Sequence, residues 1–75
     1  MISYTLKTFT ASMPMDKYSD NTLKLCVYGI AFVEFHKLQN EYKIVDVEET
    51  FYDNAKANVR QLNVTLKLVK NGDIN

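Results

Sequence analysis

Residues 22–37 constrain the fold of this chain more than any other stretch. The odd positions Leu23, Leu25, Val27, Gly29, Ala31, Val33 and Phe35 form an unbroken apolar or small row. The even positions run Thr22, Lys24, Cys26, Tyr28, Ile30, Phe32, Glu34 and His36, polar at both ends and apolar in the middle. Alternate side chains of a strand point to opposite faces. The period-two row therefore predicts a long central strand, buried along one face, bent at Gly29 and covered around Cys26 to Phe32 on the other.

The neighbouring segments are read around that strand. Ile2, Tyr4 and Leu6 alternate with Ser3, Thr5 and Lys7 and predict a first strand over about residues 2–10, with a bulge or an end at Thr8-Phe9. Ala11 to Asn21, with Pro14 inside it, reads as a loop. Pairing Val33 with Val45 and Ala31 with Val47 places Lys37 opposite Glu41 and leaves Leu38-Gln39-Asn40 as a three-residue hairpin turn. Asn tolerates the left-handed conformation such a turn needs.

Thr50-Phe51-Tyr52-Asp53 has the form of a helix start, and Phe51, Tyr52, Ala55, Val59 and Leu62 recur at helical spacing. A short helix over about residues 51–61 follows from that pattern. The competing reading makes Asp53 to Asn58 a hairpin loop between two longer strands. Leu62, Val64, Leu66 and Leu68 alternate with polar residues as a last strand, which stops at Asn71-Gly72.

The expected fold class is therefore α+β: one domain over residues 1–75, with a mainly antiparallel four-stranded sheet and one short helix in the order β-β-β-α-β. The alternative is an all-β small open barrel bent at Gly29. The expected core is Leu23, Leu25, Val27, Val33, Phe35, Val45, Val47, Val64, Leu66 and Leu68.

No motif carries a chemistry, so the chain is not expected to be an enzyme. The lone Cys26 reads as a reduced, buried thiol, and one Cys with one His falls short of a zinc ligand set. His36 beside Glu34, with Tyr42 across the expected hairpin, sits at a solvated end and reads as a surface histidine. Phosphate-binding glycine loops are absent, since Gly29 and Gly72 are the only glycines. The acidic run Asp46-x-Glu48-Glu49 offers too few oxygens for calcium. No cofactor or metal is expected.

The start Met-Ile-Ser-Tyr-Thr-Leu-Lys lacks the basic-then-apolar form of a signal peptide, and no apolar run is long enough to span a bilayer. Asn63-Val64-Thr65 matches the glycosylation sequon, but only within a strand-like run. A cytoplasmic location is the expectation, without membrane contact.

Charge is the more useful signal. The net charge is zero, yet it is segregated. From Glu34 to Asp53 six acids face only Lys37 and Lys43, whereas from Asn54 to Lys70 four basic residues have no acid among them. One reading is internal neutralisation of the two segments. The functional reading is an acidic-aromatic hairpin that docks on a larger protein with a basic surface, in its sharpest form the surface with which an enzyme holds nucleic acid. Tyr42 and Ile44 would be the anchors of this contact, and Asp46, Glu48 and Glu49 its steering charges.

The expected function is a small non-enzymatic inhibitor or regulator of such a partner. Eight of nine basic residues are Lys, a composition of the kind found in small phage or mobile-element proteins. A homodimer is expected as well, formed over Cys26, Tyr28, Ile30 and Phe32 or by pairing of edge strands. The alternative function is a barrel-like single-stranded nucleic-acid binder, which the thin basic footprint disfavours.

Overall fold

The computed structural model describes residues 3–73. Four main elements follow one another: strand β1 (Tyr4–Pro14), helix α1 (Asp20–Leu38), strand β2 (Tyr42–Asn54) and strand β3 (Val59–Lys70), followed by a single 3-10 turn at Asn71–Asp73. The strands form one antiparallel sheet in the order β1-β3-β2. The fold is a small α+β arrangement of order β-α-β-β. It replaces the expected four-stranded β-β-β-α-β sheet, and the open three-stranded sheet replaces the barrel.

The correction turns on the segment Thr22 to Lys37, which is helical and not a strand. Ser19 caps the helix, its hydroxyl accepting a hydrogen bond from the Thr22 amide at 3.3 Å. Such a cap satisfies one of the first-turn amides that have no partner inside the helix. Asp20 adds a carboxylate to that first turn, while His36 and Lys37 lie in the last turn, where cations suit the helix dipole. The expected pairing of Val33 with Val45 therefore does not exist. Leu38-Gln39-Asn40 ends the helix instead of turning a hairpin, and the Glu41 amide donates to the Leu38 carbonyl at 2.9 Å.

Residues 51–61 are the second correction. They form no helix; β2 runs through Asn54, and β3 starts at Val59. Thr50 pairs with Asn63 and Asp53 with Arg60, so the hairpin-loop reading of this stretch is the right one. Asn58 takes the left-handed conformation in the turn, with φ 54°. Its side-chain amide donates to Asp16 at 2.7 Å, and its carbonyl accepts from the Met15 amide at 3.0 Å. β1 is longer than expected and unbroken through Thr8-Phe9, ending at Pro14. Ile2 lies outside the described residues.

α1 crosses above β1 and β3. Leu23, Val27 and Ala31 descend from it onto Leu62, Val64, Leu66 and Leu68 of β3, and Phe9, Ala11, Met13, Tyr42 and Ile44 close the sides. Leu23, Val27, Val64, Leu66 and Leu68 occupy the core as the alternation foretold, and Phe35 packs against it. Leu25, Val33, Val45 and Val47 are exposed, because two lie on the outer side of a helix and two on a strand the helix leaves bare. Cys26, expected to be buried, is exposed for the same reason.

The helix also fails to reach the length of the sheet. The molecule extends 48 Å along its long axis, whereas 19 helical residues span only about 28 Å.

Candidate functional site

β2 is an edge strand with a register shift between Ile44 and Asp46: Ile44 opposes Leu68, and Asp46 opposes Lys67. Val45 is the additional residue, and such a bulge reverses the alternation of faces beyond it. Tyr42 and Ile44, before the bulge, turn under α1 and pack half-buried against the core. Beyond it, Val47, Glu49, Phe51 and Asp53 take the helix side, while Asp46, Glu48, Thr50 and Tyr52 take the open side of the sheet. The five candidate contact residues are thus distributed over both faces. Tyr42 and Ile44 are structural neighbours of the core, Glu49 faces the helix, and Asp46 and Glu48 stand together on the open face.

Glu49 is engaged. It accepts a hydrogen bond from the Tyr28 hydroxyl, and Lys24 reaches it at 3.5 Å. Burial of the phenol, reinforced by the hydrogen bond to Glu49 and its negative charge, pushes Tyr28 up to about 12. The same hydrogen bond, with Lys24 assisting, holds Glu49 below its ordinary range. Arg60 forms the other polar junction. Its Nε and Nη2 meet the two carboxylate oxygens of Asp53 at 2.7 and 2.9 Å, and Nη1 donates to Asp20 at the start of α1. A bidentate pair of this geometry favours the ionised carboxylate, and Asp53 lies below its usual range. Arg60 is raised through its bonds to Asp53 and Asp20.

The segregated charges therefore meet within the molecule at Arg60 and Asp53. Along β2 Glu49 is met by Lys24, whereas Asp46 and Glu48 have no ion pair among the described residues. Lys67, across from Asp46 in the register, places its ammonium over the Tyr4 ring at 4.2 Å. Tyr4, Leu6, Asp46, Glu48, Thr65 and Lys67 line a cleft of about 310 Å³ at this end of the sheet. Further along, the open face is a polar ladder: Thr8 bonds Thr65 at 2.9 Å, Thr10 donates to Asn63 at 2.7 Å, and Gln61 donates to Asn63 at 3.0 Å.

Tyr4 and Leu6 are the contact candidates that sequence reasoning missed. Both their strand and β3 are legible in the sequence, but not the pairing of β3 between β1 and β2 that places them across one cleft from Asp46 and Glu48. Glu34 and His36, expected on one strand face, point to different sides of a helix, and Glu34 pairs with Lys37 at 3.2 Å. Glu49 faces away from Asp46 and Glu48, so the acidic run does not converge. Among the described residues no three His, Cys, Asp or Glu side chains gather as a metal site, and no helix is long and apolar enough to cross a membrane. No family model matches the chain, and neither curated proteins nor solved structures provide a relative.

Proposed function

We propose that this chain is a small non-enzymatic interaction module, an inhibitor or regulator that docks on a basic surface of a larger protein. One observation carries the reading. Asp46 and Glu48 stand side by side on the open face of an edge strand, without an ion pair among the described residues, and face the exposed ring of Tyr4 and side chain of Leu6 across β3 in one cleft. Apolar anchors bordered by carboxylates suit a basic partner: the anchors supply affinity and the charges speed encounter. The anchoring role expected of Tyr42 and Ile44 passes to Tyr4 and Leu6, since the first pair is committed to the core.

A protein whose own task is to hold nucleic acid offers such a basic surface. The same two carboxylates oppose direct binding of phosphates on this face.

The experiment is capture of binding proteins from the host lysate by the wild-type chain and by Asp46→Lys/Glu48→Lys. A partner held by the wild type at low salt, released as salt rises and lost from the double variant supports the reading. A partner held equally by both makes the acids a solvated face. Titration with fluorescent oligonucleotides should show no binding tighter than about 100 µM, the weak end of non-specific association. Tight, salt-sensitive binding there would replace this function with a nucleic-acid one.

A further inference from the structure

Helix α1 carries two apolar stripes. Leu23, Val27 and Ala31, four residues apart, are spent on the core. Leu25, Gly29, Phe32 and Val33 recur at the same helical spacing on the opposite side, where Leu25 is 76 %, Phe32 56 % and Val33 62 % exposed. Cys26 borders this outer stripe and is also exposed, whereas the exposed Ile30, seven residues from Leu23, flanks the buried stripe. The nearby charges lie off it: Lys24 leans toward Glu49, and Glu34 holds Lys37. A helix that is apolar all round is ordinarily a buried helix.

Gly29 sits at the centre of the outer stripe. A glycine inside a helix is destabilising relative to alanine, and a Cβ there would meet nothing within 4 Å. Nothing inside the molecule therefore calls for glycine at this position, whereas a second backbone approaching from outside would.

We propose that the outer face of α1 is a symmetric interface between two copies of this chain, with the two helices crossing at Gly29. A second copy is the occupant that fits, because a two-fold interface sets a patch against itself. An uncharged patch is complementary to its own image, whereas a charged one is not. The area also suits: Leu25, Phe32 and Val33 together offer roughly 350 Å² of apolar surface per copy. An ordinary interface takes about 800 Å² from each partner, a little over half of it apolar. Cys26, Thr22, Tyr28 and His36 border the stripe and supply polar or mixed surface to the remainder. The acidic pair Asp46 and Glu48 is on the far side of the sheet and stays free, so the dimer does not depend on the docking function proposed above.

Sedimentation of the wild type over a dilution series tests this, together with Leu25→Glu/Phe32→Glu and with Gly29→Cys in a Cys26→Ser background. The wild type should show a concentration-dependent dimer. The glutamate pair should raise its Kd by about a hundredfold or more, since two central anchors are lost and like charges face each other. Under mild oxidation Gly29→Cys should form a disulfide dimer far faster than Lys56→Cys in the same background. A wild type that stays monomeric at high micromolar concentration overturns the proposal and leaves the face to a different protein. So does a dimer indifferent to the glutamates, which would place the interface elsewhere, as at the β1 edge. If the glutamate variant fails to fold, the cross-linking comparison decides alone: equal rates at positions 29 and 56 overturn the proposal.

Discussion

Tyr28 of α1 donates its hydroxyl hydrogen to Glu49 of β2, 21 positions further along the chain, and ties the helix to a strand it otherwise scarcely touches. Tyr28→Phe removes this tie and should change the pH dependence of stability at both ends. The raised phenol contributes stability that is complete below its ordinary value of 10.0 and is lost as pH rises through about 12. The lowered carboxyl of Glu49 contributes stability that is complete above 4.5 and is lost as pH falls through its depressed value. The melting temperatures of wild type and variant should therefore differ most between these limits and converge beyond them. A constant offset across the whole range would show that the hydrogen bond is not the source.

Leu62 and Leu25 make a matched pair of opposite environment. Leu62 is fully buried under α1, so Leu62→Ala should cost about 2–5 kcal/mol through lost burial and a residual cavity. Leu25→Ala, on the outer helix face, should stay within about 0.5 kcal/mol of wild type in dilute solution. Urea denaturation of both variants checks the assignment of the two stripes, and equal costs would contradict it.

Asn58 carries the left-handed turn of the β2–β3 hairpin. Asn58→Ala should cost about 1–2 kcal/mol, since alanine keeps the Cβ that crowds the carbonyl in that conformation and loses the polar group with which Asn offsets it. Asn58→Gly relieves the backbone and forfeits only the exposed bond to Asp16, so it should cost less than alanine. Chemical denaturation ranks the two, and a glycine variant less stable than the alanine variant would show that the turn conformation is not the cause.

Gly29→Ala should stabilise the dilute chain by about 0.5–1 kcal/mol, because alanine restores helix propensity where a Cβ has open space. Thermal melts at low concentration read this without interference from association. A drop in stability would reveal an intramolecular contact at that position.

The sequence was legible where periodicity had a single meaning. In β3, leucine and valine alternate with Asn63, Thr65 and Lys67, which a helix would not bury in this way, and the strand was found. In α1 it had two meanings. Leu23, Val27 and Ala31 satisfy a period of four, and four is twice two, so the buried stripe of a helix also fits the inner row of a strand. Polar residues on the outer side would have separated the readings, but Leu25, Phe32 and Val33 occupy it. The informative signals were the unbroken length of the run and the Ser19 cap ahead of it. At Thr50-Phe51-Tyr52-Asp53 a capping pattern was present without a helix, since the cross-strand partners Asn63, Leu62, Gln61 and Arg60 determine that stretch. The acidic site was found in part. Asp46 and Glu48 do share an exposed face, but the bulge at Val45 turned Tyr42 and Ile44 the other way; its mark in the sequence is the phase slip at the adjacent apolar pair Ile44-Val45, after which the apolar positions pass from even to odd.

The central position of β3 imposes an order on folding. β2 joins it through a turn of four residues, Ala55 to Asn58, and such closure is fast. β1 joins it only across nearly the whole chain, Tyr4 meeting Val69, and Leu23, Val27 and Ala31 have no floor until β3 exists. On the ribosome, β1 and α1 emerge early and must wait, unsatisfied, for the last strand to be made. The hairpin is then the template and β1 the final arrival, so β1 amides should exchange with solvent ahead of those of β3. The first half of this chain, β1 and α1, is held in a native state only by the segment from Val59 onward, and a translation pause before Val59 leaves nothing for it to fold upon.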